Sequence, residues 1–101
     1  MTEVVVAPRA REQARRIARW WEQHRLAAPS LFADELDAAL DSIIAAPTVP
    51  SAFALRRGQV VRRVLLPRTR IHVYYTHDTE RDLVEVRAVW HASRGGGPRL
   101  D

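Results

Sequence analysis

The stretch that decides the fold is residues 60–91, VVRRVLLPRTRIHVYYTHDTERDLVEVRAVWH. It contains three runs rich in valine, isoleucine, leucine and aromatic residues, and these residue types favour extended backbone. We predict strands over residues 60–66, 70–76 and 83–91. The connections between them, PRT and HDTERD, are short enough for hairpins. The three strands are therefore expected to be antiparallel neighbours in one sheet.

Upstream of this stretch the hydrophobic spacing changes twice. Residues 3–7, EVVVA, form a β-branched run that Pro8 ends, which predicts a first strand. From Arg9 to near Arg25, apolar residues recur at helical spacing. A second helical stripe follows Ser30, a residue suited to an N-cap, and stops at a proline. The short connection predicts an antiparallel helical pair.

The order β-α-α-β-β-β predicts an α+β fold. In it, the helical hairpin packs on one face of a four-stranded, mostly antiparallel sheet. Residues 46–59 carry two prolines and a glycine and are expected to form a long loop. Residues 1–94 are expected to form a single domain, and residues 95–101, which begin with three glycines, a flexible C-terminal tail.

The amino-acid composition argues against several classes of protein. There is no cysteine, which rules out disulfides and thiolate metal sites and suits a reducing cytoplasm. The four histidines are not closely spaced, so neither a metal site nor a cofactor is expected. No apolar run is long enough to span a membrane, and no signal peptide is visible at the start. We expect a cytoplasmic protein that does not bind membranes.

The net charge of +4 comes from 16 basic residues that are all arginine. Arginine presents a planar set of donors that matches phosphate and carboxylate groups, and it stays charged at all physiological pH values. The expected partners are therefore nucleic acid or an acidic protein surface. A catalytic lysine is excluded, because the sequence contains no lysine.

Strand alternation predicts which side chains face away from the helices. We expect Tyr75 to pair near Val84, and Ile71 near Ala88, with all four on the covered face. The run VVRRVLL can be phased either way, and we prefer the register with Arg62 outward. The outward face then carries Arg62, Arg70, His72, Tyr74, Arg87 and His91, and Arg94 joins it if the tail folds back.

This predicted patch is suited to an anionic partner, because it combines arginines and histidines with few acids. Outward residues of an uncovered sheet are also polar simply because they face water. Taken one by one, the patch residues favour that interpretation; their grouping on neighbouring strands, about 4.8 Å apart, favours a binding surface.

The chain resembles the RelE/ParE family, the toxic half of bacterial type II toxin–antitoxin pairs. The resemblance covers nearly the whole chain. It rests on VVVAPRAREQARRIARWW, on the element order, on VRRVLLPRTRIHVYY and on the terminal VRAVWHASRGGGPRL. It implies a growth-inhibiting toxin that a cognate antitoxin neutralises, the antitoxin segment lying over the helices or adding a strand to the sheet.

The family implies two activities, and the sequence leaves both open. RelE-like members cut messenger RNA on the ribosome; that activity would use Arg70, His72, Arg87 and His91. ParE-like members poison DNA gyrase by binding, without established hydrolytic residues. The ending WHASRG is more similar to the ParE branch, and no tyrosine or acid follows His91 until Asp101. We favour the ParE-like activity; a non-catalytic nucleic-acid-binding module is a third alternative.

Overall fold

The computed structural model describes residues 1–93 and 97–100, and it has two helices on one side of a mixed sheet. Its elements in chain order are strand β1 (Glu3–Val6), helices α1 (Pro8–His24) and α2 (Leu31–Ala45), and strands β2 (Ala52–Arg56), β3 (Gln59–Leu66), β4 (Ile71–Asp78) and β5 (Leu83–His91). The predicted α+β class and the order of the predicted elements are confirmed.

The sheet has five strands rather than the four expected, in the order β1-β5-β4-β3-β2. β1 is parallel to β5, and the other neighbours are antiparallel. The additional strand, β2, lies within residues 46–59, which were predicted to be a loop. Arg57 and Gly58 both have positive φ, 50° and 77°. This is the backbone of a two-residue hairpin turn whose twist matches the flanking strands, so AFALR pairs with β3.

Both helices begin within one residue of the predicted start. Pro8 occupies the first turn of α1, where its fixed φ suits the helix and its missing N–H costs no hydrogen bond. Ser30 precedes α2, but its hydroxyl donates to the carboxylate of Asp34 at 3.2 Å instead of accepting a backbone N–H. Within the described residues, neither helix is long and apolar enough to cross a membrane.

The main core lies between the helices and the sheet. Phe32 and Ile43 of α2 pack there against alternate residues of β3, β4 and β5. Tyr75 is also fully buried, and its hydroxyl donates to the carbonyl oxygen of Pro47 at 2.6 Å. That bond satisfies the polar end of the ring and fastens the segment after α2 to the middle strand.

A bulge divides the β4–β5 ladder and reverses the predicted facing of its second half. Tyr75 pairs with Val86, but the preceding residue, Tyr74, pairs with Ala88, so Arg87 is an extra residue on β5. Beyond the bulge it is Val89 that enters the main core, whereas Ala88 lies on the other face. The expected pairings of Tyr75 with Val84 and of Ile71 with Ala88 are therefore wrong.

The face away from the helices, here called the outer face, has a small apolar cluster of its own. Val61, Tyr74 and Ala88 are buried there against Leu100, which is only 6% exposed. The guanidinium of Arg9 also donates to the carbonyl of Arg99 at 3.4 Å. The outer face is thus covered in part by the chain's own C-terminal residues, whereas the sequence predicted a face left for water or a partner.

Candidate functional site

The outer face carries aromatic and arginine side chains at the end of the sheet remote from the β4–β5 turn. We call Phe53, Arg63, His72 and Tyr74 the outer cluster. The guanidinium carbon of Arg63 lies 4.4 Å from the centre of the Phe53 ring. The Tyr74 ring centre is 5.2 Å from that of Phe53 and 5.9 Å from that of His72, in edge-on arrangements. Cation–π and aromatic contacts therefore hold Arg63 beside the rings.

The positive charge at the outer cluster comes from Arg63 and from the neighbouring Arg70, not from His72. Partial burial lowers the pKa of His72 below its usual value, and the positive charges of Arg63 and Arg70 lower it further. The imidazole is therefore neutral at pH 7. In that form it offers one hydrogen-bond donor and one acceptor beside a fixed cation.

Arg70 lies in the turn that leads into β4, with φ of 63°. Its N–H donates to the carbonyl of Leu66 at 2.9 Å, and its carbonyl accepts the N–H of Ala92 at 2.8 Å. A left-handed backbone is unfavourable for a residue with a Cβ, so these two bonds hold the turn in place. The exposed Arg70 side chain starts from this fixed position next to His72.

Arg87 lies on the outer face as predicted, but its donors are already engaged. Its Nε is 3.1 Å from a carboxylate oxygen of Glu85 and 3.3 Å from the Thr76 hydroxyl. One of its terminal nitrogens donates to the Gln59 side-chain oxygen at 2.8 Å. Arg87 is thus part of a hydrogen-bond network at the bulge, and an anionic ligand would have to displace these partners.

Arg62 was predicted to face outward, and this prediction is wrong. Arg62 pairs with Tyr75, whose ring is in the main core, so both face the helices. Its guanidinium donates to the carbonyl of Pro50 at 2.7 Å. The phase of β3 is set by Val64 and Leu66, which pack into the main core, and alternation then turns Arg63 outward.

His91 was also predicted on the outer face, and it lies on the other one. It pairs with Ile71, a residue of the main core, and borders a cleft beside the C-terminal end of α1. We call this space the helix-side cleft; its lining includes Trp20, Trp21, Arg25, Arg68, Ile71 and His91. His91 lies on the helix side because the extra residue in the bulge moves every later side chain of β5 to the opposite face of the sheet.

The two histidines of the nuclease hypothesis therefore do not converge. His72 pairs with Trp90 on the outer face, whereas His91 is the next residue of β5 and points to the helix side. A base and an acid must both reach one scissile phosphate, and two side chains on opposite faces of a sheet do not reach the same phosphate. Arg94, the last predicted site residue, lies outside the described residues.

Sequence reasoning missed Phe53, Arg63 and Arg25 as site residues. Gly58, which lies between AFALR and QVVRRVLL, was the sequence signal for the turn before β3, and with β2 recognised, Phe53 would have been placed beside β3. Arg25 had no comparable signal, because only packing brings the end of α1 next to β5.

Metal binding has no support in the described part of the chain. No three histidine, cysteine, aspartate or glutamate side chains gather there closely enough to hold an ion. His77 does contact a carboxylate, that of Asp82 at 2.9 Å, and Asp82 also accepts from the Thr2 hydroxyl. The His77 and Thr2 bonds lower the pKa of Asp82 and tie the β4–β5 turn to the start of β1.

Comparison with known proteins identifies the family. A family model described as the ParE toxin of type II toxin–antitoxin systems, parDE, matches residues 4–95. No curated protein and no solved structure matches the chain. The matched range includes both helices and, except for Glu3, all five strands, and with them the outer cluster and the helix-side cleft. The chain therefore belongs to the ParE toxin family of type II toxin–antitoxin systems.

Proposed function

We propose that this toxin inhibits growth by binding DNA gyrase and that a cognate antitoxin neutralises it. The observation that carries the choice of binding over cleavage is the separation of His72 and His91 on opposite faces of the sheet. A 2′-hydroxyl attack needs an acid and a base around one phosphate, and the two imidazoles do not supply that pair. A cytoplasmic location belongs to the same proposal, because gyrase is a cytoplasmic enzyme.

The outer cluster is the part of the molecule that we propose contacts the target. Its cation, Arg63, is held over the Phe53 ring, and Phe53 is itself exposed. Arg70 adds a second positive charge close to His72. An exposed aromatic ring beside fixed guanidinium groups is typical of the residues that dominate protein interfaces.

The antitoxin is proposed to use surfaces that the target does not need. β2 is an edge strand, and the side chains of Leu55 in β2 and of Val60 in β3 are exposed. Unpaired backbone groups next to exposed apolar side chains favour addition of a strand from a partner. The arginines on the exposed face of α1 favour an acidic segment over the helices.

The test is a supercoiling assay with purified gyrase, performed with the wild-type chain and two charge reversals. Arg63→Glu, in the outer cluster, is expected to weaken inhibition at least tenfold, because it places a carboxylate where the target meets a cation. Arg19→Glu, on the exposed side of α1, carries the same change in net charge and is expected to stay within twofold of wild type. Equal effects of the two variants would contradict the assignment of the outer cluster.

The alternative activities have separate readouts. Transcript ends mapped after induced expression are expected to show no codon-biased cuts; such cuts, lost in Arg70→Ala, would replace the proposal with a RelE-like nuclease. Salt-dependent nucleic-acid binding without growth inhibition would instead favour the non-catalytic module.

A further inference from the structure

The helix-side cleft combines an apolar wall with a cationic rim. Its volume is about 570 Å³, within the range of ligand pockets in proteins, roughly 300–1,000 Å³. Trp21 and Ile71 supply apolar surface, and both also belong to or pack against the main core, so the wall is fixed. Arg25 and Arg68 line the cleft from different elements, the end of α1 and the β3–β4 turn.

Trp20 is held in place at the rim before any partner arrives. Its ring stacks on that of His24 with centres 4.8 Å apart and planes 12° from parallel. The Arg25 guanidinium carbon lies 4.9 Å from the centre of the Trp20 ring. Trp20 is nevertheless 42% exposed. Burial of this ring by a partner therefore costs the toxin little conformational entropy, which is the property of a preorganised anchor.

The charged groups that line the cleft include two cations, Arg25 and Arg68. The Glu35 carboxylate, which lies near Arg68, accepts the backbone N–H groups of Arg68 and Thr69 at 2.9 Å each. Among the described residues, no carboxylate forms an ion pair with Arg25 or Arg68.

His91 adds another donor. Its Nδ1 accepts the N–H of Ser93 at 3.3 Å, so the neutral ring carries its proton on Nε2. The cleft therefore favours a ligand that supplies acceptors and negative charge.

We propose that the cleft binds an acidic peptide segment of the antitoxin. One large apolar side chain of that segment packs against Trp21 and Ile71, and neighbouring carboxylates pair with Arg25 and Arg68. The inference rests on the proposed function, which supplies the antitoxin as a partner. A nucleic acid would satisfy the arginines equally well, but its phosphates gain nothing from the apolar wall, so the observations favour a peptide.

The experiment is a selection of twelve-residue peptides displayed on phage against the purified chain. We expect enriched peptides to share one large apolar residue with at least two acidic residues within four positions. Each peptide should bind Trp20→Ala and Arg25→Glu at least tenfold more weakly than wild type. Arg81→Glu, in the exposed β4–β5 turn, is the matched charge reversal outside the cleft and should bind within twofold of wild type.

Three results would overturn the inference: no enrichment, enriched peptides without acids, or binding that the cleft variants do not change. Tight binding of a single-stranded (dT)12 oligonucleotide that Arg25→Glu abolishes would also overturn it, in favour of nucleic acid. Circular dichroism of each variant confirms that it is folded.

Failure of the proposed function has a different signature. A chain that neither arrests growth nor inhibits gyrase, yet binds the acidic peptides in the cleft, refutes the function and leaves the binding site intact. Where growth is arrested, co-expression of a selected peptide is expected to relieve the arrest, and relief should be lost with Arg25→Glu.

Discussion

The two halves of the β4–β5 ladder are built from the same residue types but present them differently. In the half next to the turn, from Asp78 to Tyr75, alternate residues of β5 such as Val84 and Val86 face the helices. In the half beyond the bulge, from Tyr74 to Ile71, Val89 and His91 face the helices. One extra residue, Arg87, separates two regular stretches of opposite phase.

The second half also differs in what lies along its open edge. β1 accompanies β5 only as far as Val86, and after that no strand is paired there among the described residues. The N–H of Val89 donates instead to the side-chain oxygen of Gln13 on α1, at 2.9 Å. The bulge and the helix together replace the missing strand. This arrangement delivers His91 to the helix-side cleft instead of the outer face.

The largest expected effect comes from Val89→Asp, which tests the reversed phase directly. Val89 is 2% exposed, so the substitution buries a carboxylate among apolar side chains. The expected loss is about 4 kcal/mol or more in the free energy of unfolding, measured by urea denaturation. Val60→Asp, at an exposed position of β3, is the control and should cost less than about 1 kcal/mol. Similar costs for both would mean that Val89 faces outward.

Gln13→Ala is expected to have the next largest effect, because it leaves the Val89 N–H without its acceptor. Loss of a partner for a buried backbone group costs about 1–2 kcal/mol. Hydrogen exchange of the Val89 amide should also accelerate. Gln23→Ala, on an exposed part of the same helix, should change stability by less than about 0.5 kcal/mol. An unchanged exchange rate of the Val89 amide in Gln13→Ala would argue against a stabilising role of this hydrogen bond.

Glu35→Gln tests how α2 stabilises the β3–β4 turn, which lies next to the second half of the β4–β5 ladder. Burial raises the pKa of Glu35, but the N–H bonds from Arg68 and Thr69 outweigh it, so the pKa is below its ordinary value. The carboxylate therefore stabilises the fold above pH about 4.3, and this stabilisation is lost as the pH falls through the lower folded-state value.

We expect Glu35→Gln to cost about 1 kcal/mol at pH 7 in urea denaturation. The difference from wild type should shrink on acidification below pH about 4. Asp37→Asn, an exposed carboxylate two residues later on α2, is the control. A difference between wild type and Glu35→Gln that is independent of pH would show that the charge of Glu35 is not the cause.

The smallest effect concerns Arg63 and Arg62, neighbours that face opposite sides of β3. Arg63→Gln removes a positive charge near His72 and should raise the pKa of that histidine toward its usual value. Arg62→Gln should leave the pKa of His72 unchanged, because Arg62 faces the helices. Titration of the imidazole signals by NMR measures both, and a larger shift in Arg62→Gln would reverse our assignment of the β3 faces.

Much of the fold could be predicted because its signals are local. Pro8 and the stripe beginning near Ser30 placed the helices, and the turn segments around Pro67 and Thr79 placed the three long strands. β2 was missed because two nearby prolines concealed a hairpin turn made by Arg57 and Gly58. The candidate site was predicted only in part: His72, Tyr74 and Arg87 face outward as expected, but Arg62 and His91 do not.

What the sequence determined by itself is the set of elements, their order, and a surface charge carried only by arginine, since periodicity, turn residues and composition are properties of neighbouring positions. What only the tertiary structure decided is the side of the sheet on which each polar residue lies. Side chains of a strand alternate between the two faces of the sheet, so the one-residue insertion at Arg87 moves every later side chain of β5 to the opposite face. Where that insertion falls depends on contacts with α1 and the neighbouring strands, which lie far away in the chain.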